Sequence, residues 1–428
     1  MSVHKHMSPS NLVATQVDVE PSPPARLASL DAFRGFVILT MIFVNYCAGI
    51  SGIPAWMKHA PADLDGYTFV DVVFPGFLFI VGVAIPFSLG KRLARGDASW
   101  RLLLRIVPRV MFLLFLGVVF VSLKNYSPEE AHLGKAAWSF LFYCCVLAIW
   151  NVYPTDTSAF QRRIYRSLRI AGIVVLAWLV WIFHQKTEQG TIVGLRPSWW
   201  GILGIIGWAY LVSSAAYLLT RGNLTALMGV LGFMVALYIT SRHGGIPSFL
   251  EPIDRWVGIG ELFGSHAAIT MAGVLVGQLF AGEKGVLTDR RRRMIFVLFF
   301  GVGLYATGQL LRPLHKISKI HGTESYALVT AGECCLLFLM FHYVMDIRGW
   351  KRWAAFLIPV GVNPLVAYIL PDIFNNVLRL GAQFGINLSH CFWWVHDGWG
   401  GVLNSAVMTA LMLLLTTLLT RAKVVLRL

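Results

Sequence analysis

The chain has 428 residues, of which 57% are apolar or aromatic and only 13% are charged. Soluble domains carry about 25% charged residues, so this supply is too small to coat a water-facing surface. With a mean hydropathy of +0.66, it excludes a conventional soluble domain. The net charge of +15 raises nucleic acid as a partner, but its placement along the chain excludes that as well.

Residues 1–26 are a polar stretch ending in Pro21-Ser22-Pro23-Pro24. They lack the charged n-region, apolar core and A-x-A site of a signal peptide, and we expect a disordered cytoplasmic tail. Residues 27–428 read as one membrane domain. Apolar segments follow at roughly 30–50, 67–90, 103–123, 136–153, 168–184, 199–220, 223–241, 265–281, 293–311, 327–346, 353–378 and 400–420. Most are long enough to span a bilayer as helices of about 17–25 residues. Without water in the hydrocarbon layer their backbone groups must bond internally. The expected fold is all-α, a polytopic membrane bundle of about 11–12 transmembrane helices.

The loops between these segments alternate in charge. One set carries Lys91, Arg92 and Arg95, then Arg162, Arg163, Arg166 and Arg169, the run Arg290 to Arg293, then Arg348, Lys351 and Arg352, and Arg421. The other set is mixed or acidic, with Asp63, Asp65, Glu129, Glu130, Glu251 and Glu261. The stretch from Arg312 to Glu324 is the exception, being basic on the acidic side. The positive-inside rule then puts both termini in the cytoplasm. The charge is an orientation signal, not a nucleic-acid patch. The six cysteines form no CxxC motif and five lie in or beside apolar runs, so neither a disulfide framework nor a metal site is expected.

Polar groups that the membrane makes expensive point to function, and the densest cluster opens the membrane domain. It reads Leu30-Asp31-Ala32-Phe33-Arg34-Gly35, then Val44-Asn45-Tyr46, a short loop with Lys58-His59-Ala60, and re-entry through Asp71-Val72-Val73-Phe74-Pro75-Gly76-Phe77. Asp31 and Arg34 are three apart and share a helix face at the cytoplasmic border. Asn45 lies roughly 16 Å further along at 1.5 Å per residue, within reach of His59 if the loop folds back. Imidazole titrates near neutrality. His59 can therefore serve as a nucleophile or general base, with Asn45 orienting it or donating a hydrogen bond to developing charge; the alternative is a solvated loop histidine. Asp71 either caps the second helix or positions His59.

Further along, Arg312, His315, Lys316, Lys319 and His321 form a basic segment suited to phosphates or to solvent. Glu333, His342, Asp372, Asn375 and Asn376 lie in or near apolar helices, where polar groups mark a cavity or an interhelical contact.

The cluster from Asp31 to Phe77 resembles the family of heparan-alpha-glucosaminide N-acetyltransferase and its bacterial relatives. That family opens D-x-F-R-G, then V-N-Y, K-H-A and D-x-V-F-P-x-F, matched here by Asp31, Phe33, Arg34, Gly35, Val44, Asn45, Tyr46, Lys58, His59, Ala60, Asp71, Val73, Phe74, Pro75 and Phe77. Weaker matches are Pro313, Lys316, Ser325 and Tyr326, and then Gly361, Asn363 and Tyr368. The resemblance implies a transmembrane acyltransferase domain in a bacterial inner membrane. It would move an acetyl group from acetyl-CoA to an amino sugar or glycan on the non-cytoplasmic side. It also implies catalytic His59 and Asn45, support from Asp31, Arg34, Asp71 and Asn363, a donor held by Arg312, Lys316 and Lys319, and no metal. The bilayer, a small-molecule or glycan acceptor and a second copy in a homodimer are the candidate partners. The alternative is a secondary transporter for a sugar or similar solute, although no internal repeat is visible.

Overall fold

The computed structural model describes residues 27–154, 157–281 and 289–426; the tail expected over 1–26 lies outside them. Twelve helices carry the fold: α1 (Ala28–Cys47), α2 (Phe69–Ala94), α3 (Ser99–Asn125), α4 (Lys135–Trp150), α5 (Ala159–Trp181), α6 (Ile202–Leu219), α7 (Leu224–Arg242), α8 (Gly260–Ala281), α9 (Arg290–His315), α10 (Glu324–Ile347), α11 (Pro364–Gln383) and α12 (Gly398–Arg421). Ten of these are long and apolar enough to cross a membrane. The other two are α4, a 16-residue apolar helix, and α11, which carries Asp372, Asn375, Asn376 and Arg379. The only strands among the described residues are Gln185–Lys186 and Ile192–Val193, a two-residue antiparallel pair. The chain is thus an all-α polytopic bundle.

Two helix boundaries depart from the apolar runs, each for a local reason. Helix α5 begins nine residues before the run at 168–184, because Ser158 and Gln161 form a capping box that starts the helix in a polar, arginine-rich turn. The run at 353–378 is split into a short helix Ile358–Val362 and α11, with Asn363 between them at φ −122° and ψ 57°. Pro364 disfavours helical geometry in the residue before it.

Helix α8 is the centre of the bundle, with 89% of its apolar window buried, whereas α5, α7, α9 and α12 are mostly exposed to the surroundings. Close helix packing in a bilayer depends on small residues rather than on hydrophobic contrast. Helices α2 and α8 meet at reciprocal glycines. A Cβ on Gly82 would lie 1.9 Å from the Thr270 carbonyl oxygen, and one on Gly273 would lie 2.0 Å from that of Phe79. The same device joins α1 to the short helix, where a Cβ on Gly35 would meet the Leu357 oxygen at 2.0 Å and one on Gly361 the Asp31 oxygen at 1.8 Å.

The loops gather at two ends. Segments 48–68, 126–134, 182–201, 243–259, 316–323 and 384–397 share one end. They are linked there by the Ser51–Asp397 hydroxyl–carboxylate bond, Gly66 N–H to the Ile317 oxygen at 2.9 Å, Ser127 N–H to the His184 oxygen at 2.9 Å, and an edge-on Trp199–Trp256 contact. At the other end residues 424–426 are clasped. Val425 N–H bonds the Asn151 side chain at 2.9 Å, and the Asn363 amide donates to the Val424 oxygen at 2.7 Å. The contacts at the first end join loops that the charge pattern also groups together.

Candidate active site

Helix α1 delivers Asn45 two residues before its end, and α2 delivers Asp71 in its first turn. Between them the loop 48–68 builds a small core of its own from Cys47, Ile50, Ile53 and Met57. His59 follows that core and is held on both sides. The Thr68 hydroxyl donates to the Lys58 carbonyl at 2.8 Å, and Ala60 N–H donates to Asp71 Oδ2 at 3.1 Å. Asp71 also accepts from Thr68 N–H at 3.0 Å, closing the capping box of α2. One oxygen of Asp71 therefore satisfies backbone donors that a helix start leaves open. The other, Oδ1, lies 2.7 Å from His59 Nδ1. Capping and positioning are done by the same carboxylate.

Asp71 is fully buried while the His59 side chain is 45% exposed, an arrangement that fixes one ring nitrogen and leaves the other accessible. An ionised carboxylate can only accept, so Nδ1 carries the proton in this pairing and Nε2 keeps a lone pair. Lys319, from the loop between α9 and α10, adds a third member. Its Nζ lies 2.9 Å from His59 Nδ1, 3.5 Å from Nε2 and 3.4 Å from Asp71 Oδ1. Burial pushes the Lys319 ammonium below the ordinary lysine range, opposed by the charge of Asp71. Asn45, His59 and Lys319 line one pocket of about 50 Å³ with Met41, Val73 and Phe74.

The remaining expected residues fall in two places. Arg312 Nε reaches both Asp65 oxygens, at 3.0 and 3.1 Å, and its Nη2 the Asp65 carbonyl at 3.1 Å. Asp65 also accepts from Ile317 N–H at 2.9 Å. That bond, then the Arg312 guanidinium, holds its carboxyl below the usual range against the opposing effect of burial. Arg312 is thus engaged within the protein, and Lys316 turns the chain at φ +61° with its carbonyl taken by the Ser325 hydroxyl. Within the basic stretch that broke the charge pattern, Arg312 pairs with Asp65, Lys319 with Asp71, and His315 lies against Glu324 at 2.9 Å, while Lys316 is exposed.

Asp31 and Arg34 lie at the opposite end, paired at 3.3 Å, with Arg34 also donating to the Gly361 oxygen at 3.1 Å. Asn363 holds the 424–426 segment through its amide and Oδ1. These three residues brace helix ends rather than the His59 pocket.

Two participants were not singled out from sequence. Tyr326, fully buried, donates to the Asp71 carbonyl at 2.7 Å; its place in a matched Ser325-Tyr326 pair was the available signal. Tyr67 donates to Glu333 Oε1 at 2.5 Å, and nothing in the sequence links two residues so far apart. Among the described residues, no group of three or more His, Cys, Asp or Glu side chains could hold a metal ion.

The fold and this site define a polytopic α-helical membrane protein with a histidine–aspartate–lysine cluster at one membrane face. Residues 26–260 match the family model described as a domain of unknown function, DUF5009, and the chain belongs to that family. It is also similar to heparan-alpha-glucosaminide N-acetyltransferase from Homo sapiens, 26% identical over 97% of this chain and 63% of the human protein. The Mus musculus protein of the same name is 25% identical over 90% of this chain and 59% of its own length. The chain therefore spans about three fifths of the length of these curated relatives.

Proposed function

We propose that this chain is a membrane-embedded acyltransferase that moves an acetyl group from acetyl-CoA to an amino sugar or glycan on the non-cytoplasmic side, through His59. The observation that carries this reading is the His59–Asp71 pair facing a pocket shared with Asn45. The names of the human and mouse relatives support N-acetylation of a glucosaminide-type acceptor.

Asp71 holds Nδ1–H, so Nε2 faces the reaction. It can attack the thioester carbonyl, expelling the coenzyme thiolate and forming an acyl-imidazole that the acceptor then takes over. It can equally remove the acceptor's proton during direct transfer. Charge develops on the carbonyl oxygen in both routes, and the Asn45 amide, which lines the same pocket, would donate to it. Lys319 competes for the same carboxylate and ring. Its ammonium can bond Nδ1 only when that nitrogen has lost its proton, so Asp71 and Lys319 favour opposite tautomers. The active arrangement has Lys319 on Asp71 and Nδ1–H on the same oxygen.

Sidedness follows the basic loops, which gather at the end opposite His59. The cytoplasmic donor must then reach through the bundle. The test is incubation of purified protein with radiolabelled acetyl-CoA and a panel of amino sugars. Label should pass to an amino sugar in the wild type and not in His59→Ala, and acid quenching should trap labelled protein if the acyl-imidazole forms. Failure to label any acceptor amine or hydroxyl overturns the assignment.

A further inference from the structure

Between α1, α2 and α10 lies a second and larger cavity, about 610 Å³, whose walls are mostly apolar and include Phe33, Phe36, Val72 and Leu337. Phe36 and Phe69 are 37% and 38% exposed and both line it, so it opens sideways where a bilayer would lie. Trp56 packs at a tilt against Phe69, ring centroids 5.6 Å apart, the kind of aromatic contact found where a protein meets lipid headgroups. A space of this kind is filled by hydrocarbon, because water has few partners on such walls.

One group in it is out of keeping. Glu333 sits nine residues into α10, roughly 14 Å along the helix axis, and its carboxylate lines the cavity. Oε1 accepts from the Tyr67 hydroxyl at 2.5 Å, while Oε2 has no hydrogen-bond partner among the described residues. A carboxylate at this depth is costly unless something pairs with it. Charge complementarity selects a cation, whose bond to a carboxylate is stronger than a neutral one. The aromatic rings of the wall favour the same sign of charge.

We propose that this cavity binds a single-chain amphiphile bearing a primary amine, drawn from the bilayer, with its hydrocarbon chain between α1, α2 and α10 and its ammonium on Glu333. The site adjoins the His59 pocket, since Val73 lines both and Thr68, on its rim, is bonded to Asp71. The assignment does not depend on acyl transfer, because its readout is binding.

The test is equilibrium binding of radiolabelled dodecylamine to the purified full chain in phosphatidylcholine nanodiscs, corrected for empty nanodiscs. One saturable site per chain is expected, displaced by unlabelled dodecylamine but not by butylamine, which lacks the chain, or by dodecanoate, which carries the wrong charge. Glu333→Gln should weaken binding by roughly tenfold or more, as loss of a charged hydrogen bond does. Leu337→Trp fills the cavity without touching the Tyr67–Glu333 bond and should also abolish binding, which keeps the test valid if Glu333→Gln fails to fold. Equal displacement by dodecanoate, displacement by butylamine alone, or wild-type affinity in either folded variant overturns the proposal.

Discussion

At the scale of single residues, the site rests on one carboxylate with two tasks. Asp71→Asn keeps the size and the hydrogen bond from Ala60 or Thr68, but an amide can present its NH₂ to the imidazole and favour the tautomer with Nδ1 unprotonated. Turnover should fall by roughly 10²–10⁴-fold, the range for general acid–base groups, with helix content unchanged by circular dichroism. His59→Ala should lose at least as much while the protein still inserts, because the flanking Lys58 and Ala60 bonds involve only the backbone. Asn45→Ala should lower kcat by roughly 10²–10³ more than it alters donor binding. Asn45→Asp places a carboxylate near the imidazole and favours its protonated form. The pH–rate profile of that variant should shift to higher pH, and an unchanged profile with near-normal rates would make Asn45 an interhelical contact only. That His59 and Asn45 would line one pocket was legible because both stand in one short cluster. Lys319 was legible only as a cation suited to phosphate, because its position beside His59 depends on a fold across 260 residues.

At the scale of elements, the motif that opens the membrane domain divides into two jobs. Asp31, Arg34 and Gly35 brace α1 against the short helix before α11, whereas Asn45 and His59 line the pocket and Asp71 holds His59 from behind. Gly361→Val should therefore lower thermal stability without entering the site. A Cβ there meets the Asp31 oxygen at 1.8 Å, and overpacking of this kind costs about 1–3 kcal/mol or more, readable as a lower Tm in detergent. The Asp65 clasp makes a separate prediction in acid. Its folded pKa is depressed, so its contribution is complete above the ordinary carboxylate value of about 3.9 and is lost as pH falls through the lower folded value. Proteolysis at 316–323 should rise in that acid window, and Asp65→Asn should show the same susceptibility at neutral pH. Helix existence could be read from apolar runs, since length and hydropathy determine it. The break at Asn363 and the early start of α5 could not, because Pro364 and the Ser158 cap act through backbone geometry that hydropathy ignores.

For the whole molecule, the charge pattern makes a prediction about sidedness. Reporters fused after residue 426 should behave as cytoplasmic and one in the loop at 52–64 as external. A cytoplasmic signal from 52–64 would remove the transmembrane direction from the proposed reaction while leaving His59 chemistry intact. The basic stretch at 312–319 need not disturb this topology, because Arg312 and Lys319 are paired within the protein by Asp65 and Asp71, which leaves Lys316 as its exposed lysine.

The contact between His59 and Lys319 joins residues 260 positions apart, and Tyr326 grips the Asp71 backbone over a similar span. At synthesis rates of about 5–20 residues per second, on the order of 13–52 s separate emergence of the histidine from that of its lysine. Through that interval α1 and α2 occupy the bilayer with an aspartate that has no cation from the later loop. The cluster of His59, Asp71 and Lys319 is thus completed late in the synthesis of each chain, after α9 and α10 have joined the bundle. A half-made copy would carry the imidazole and its aspartate without the lysine that completes the cluster.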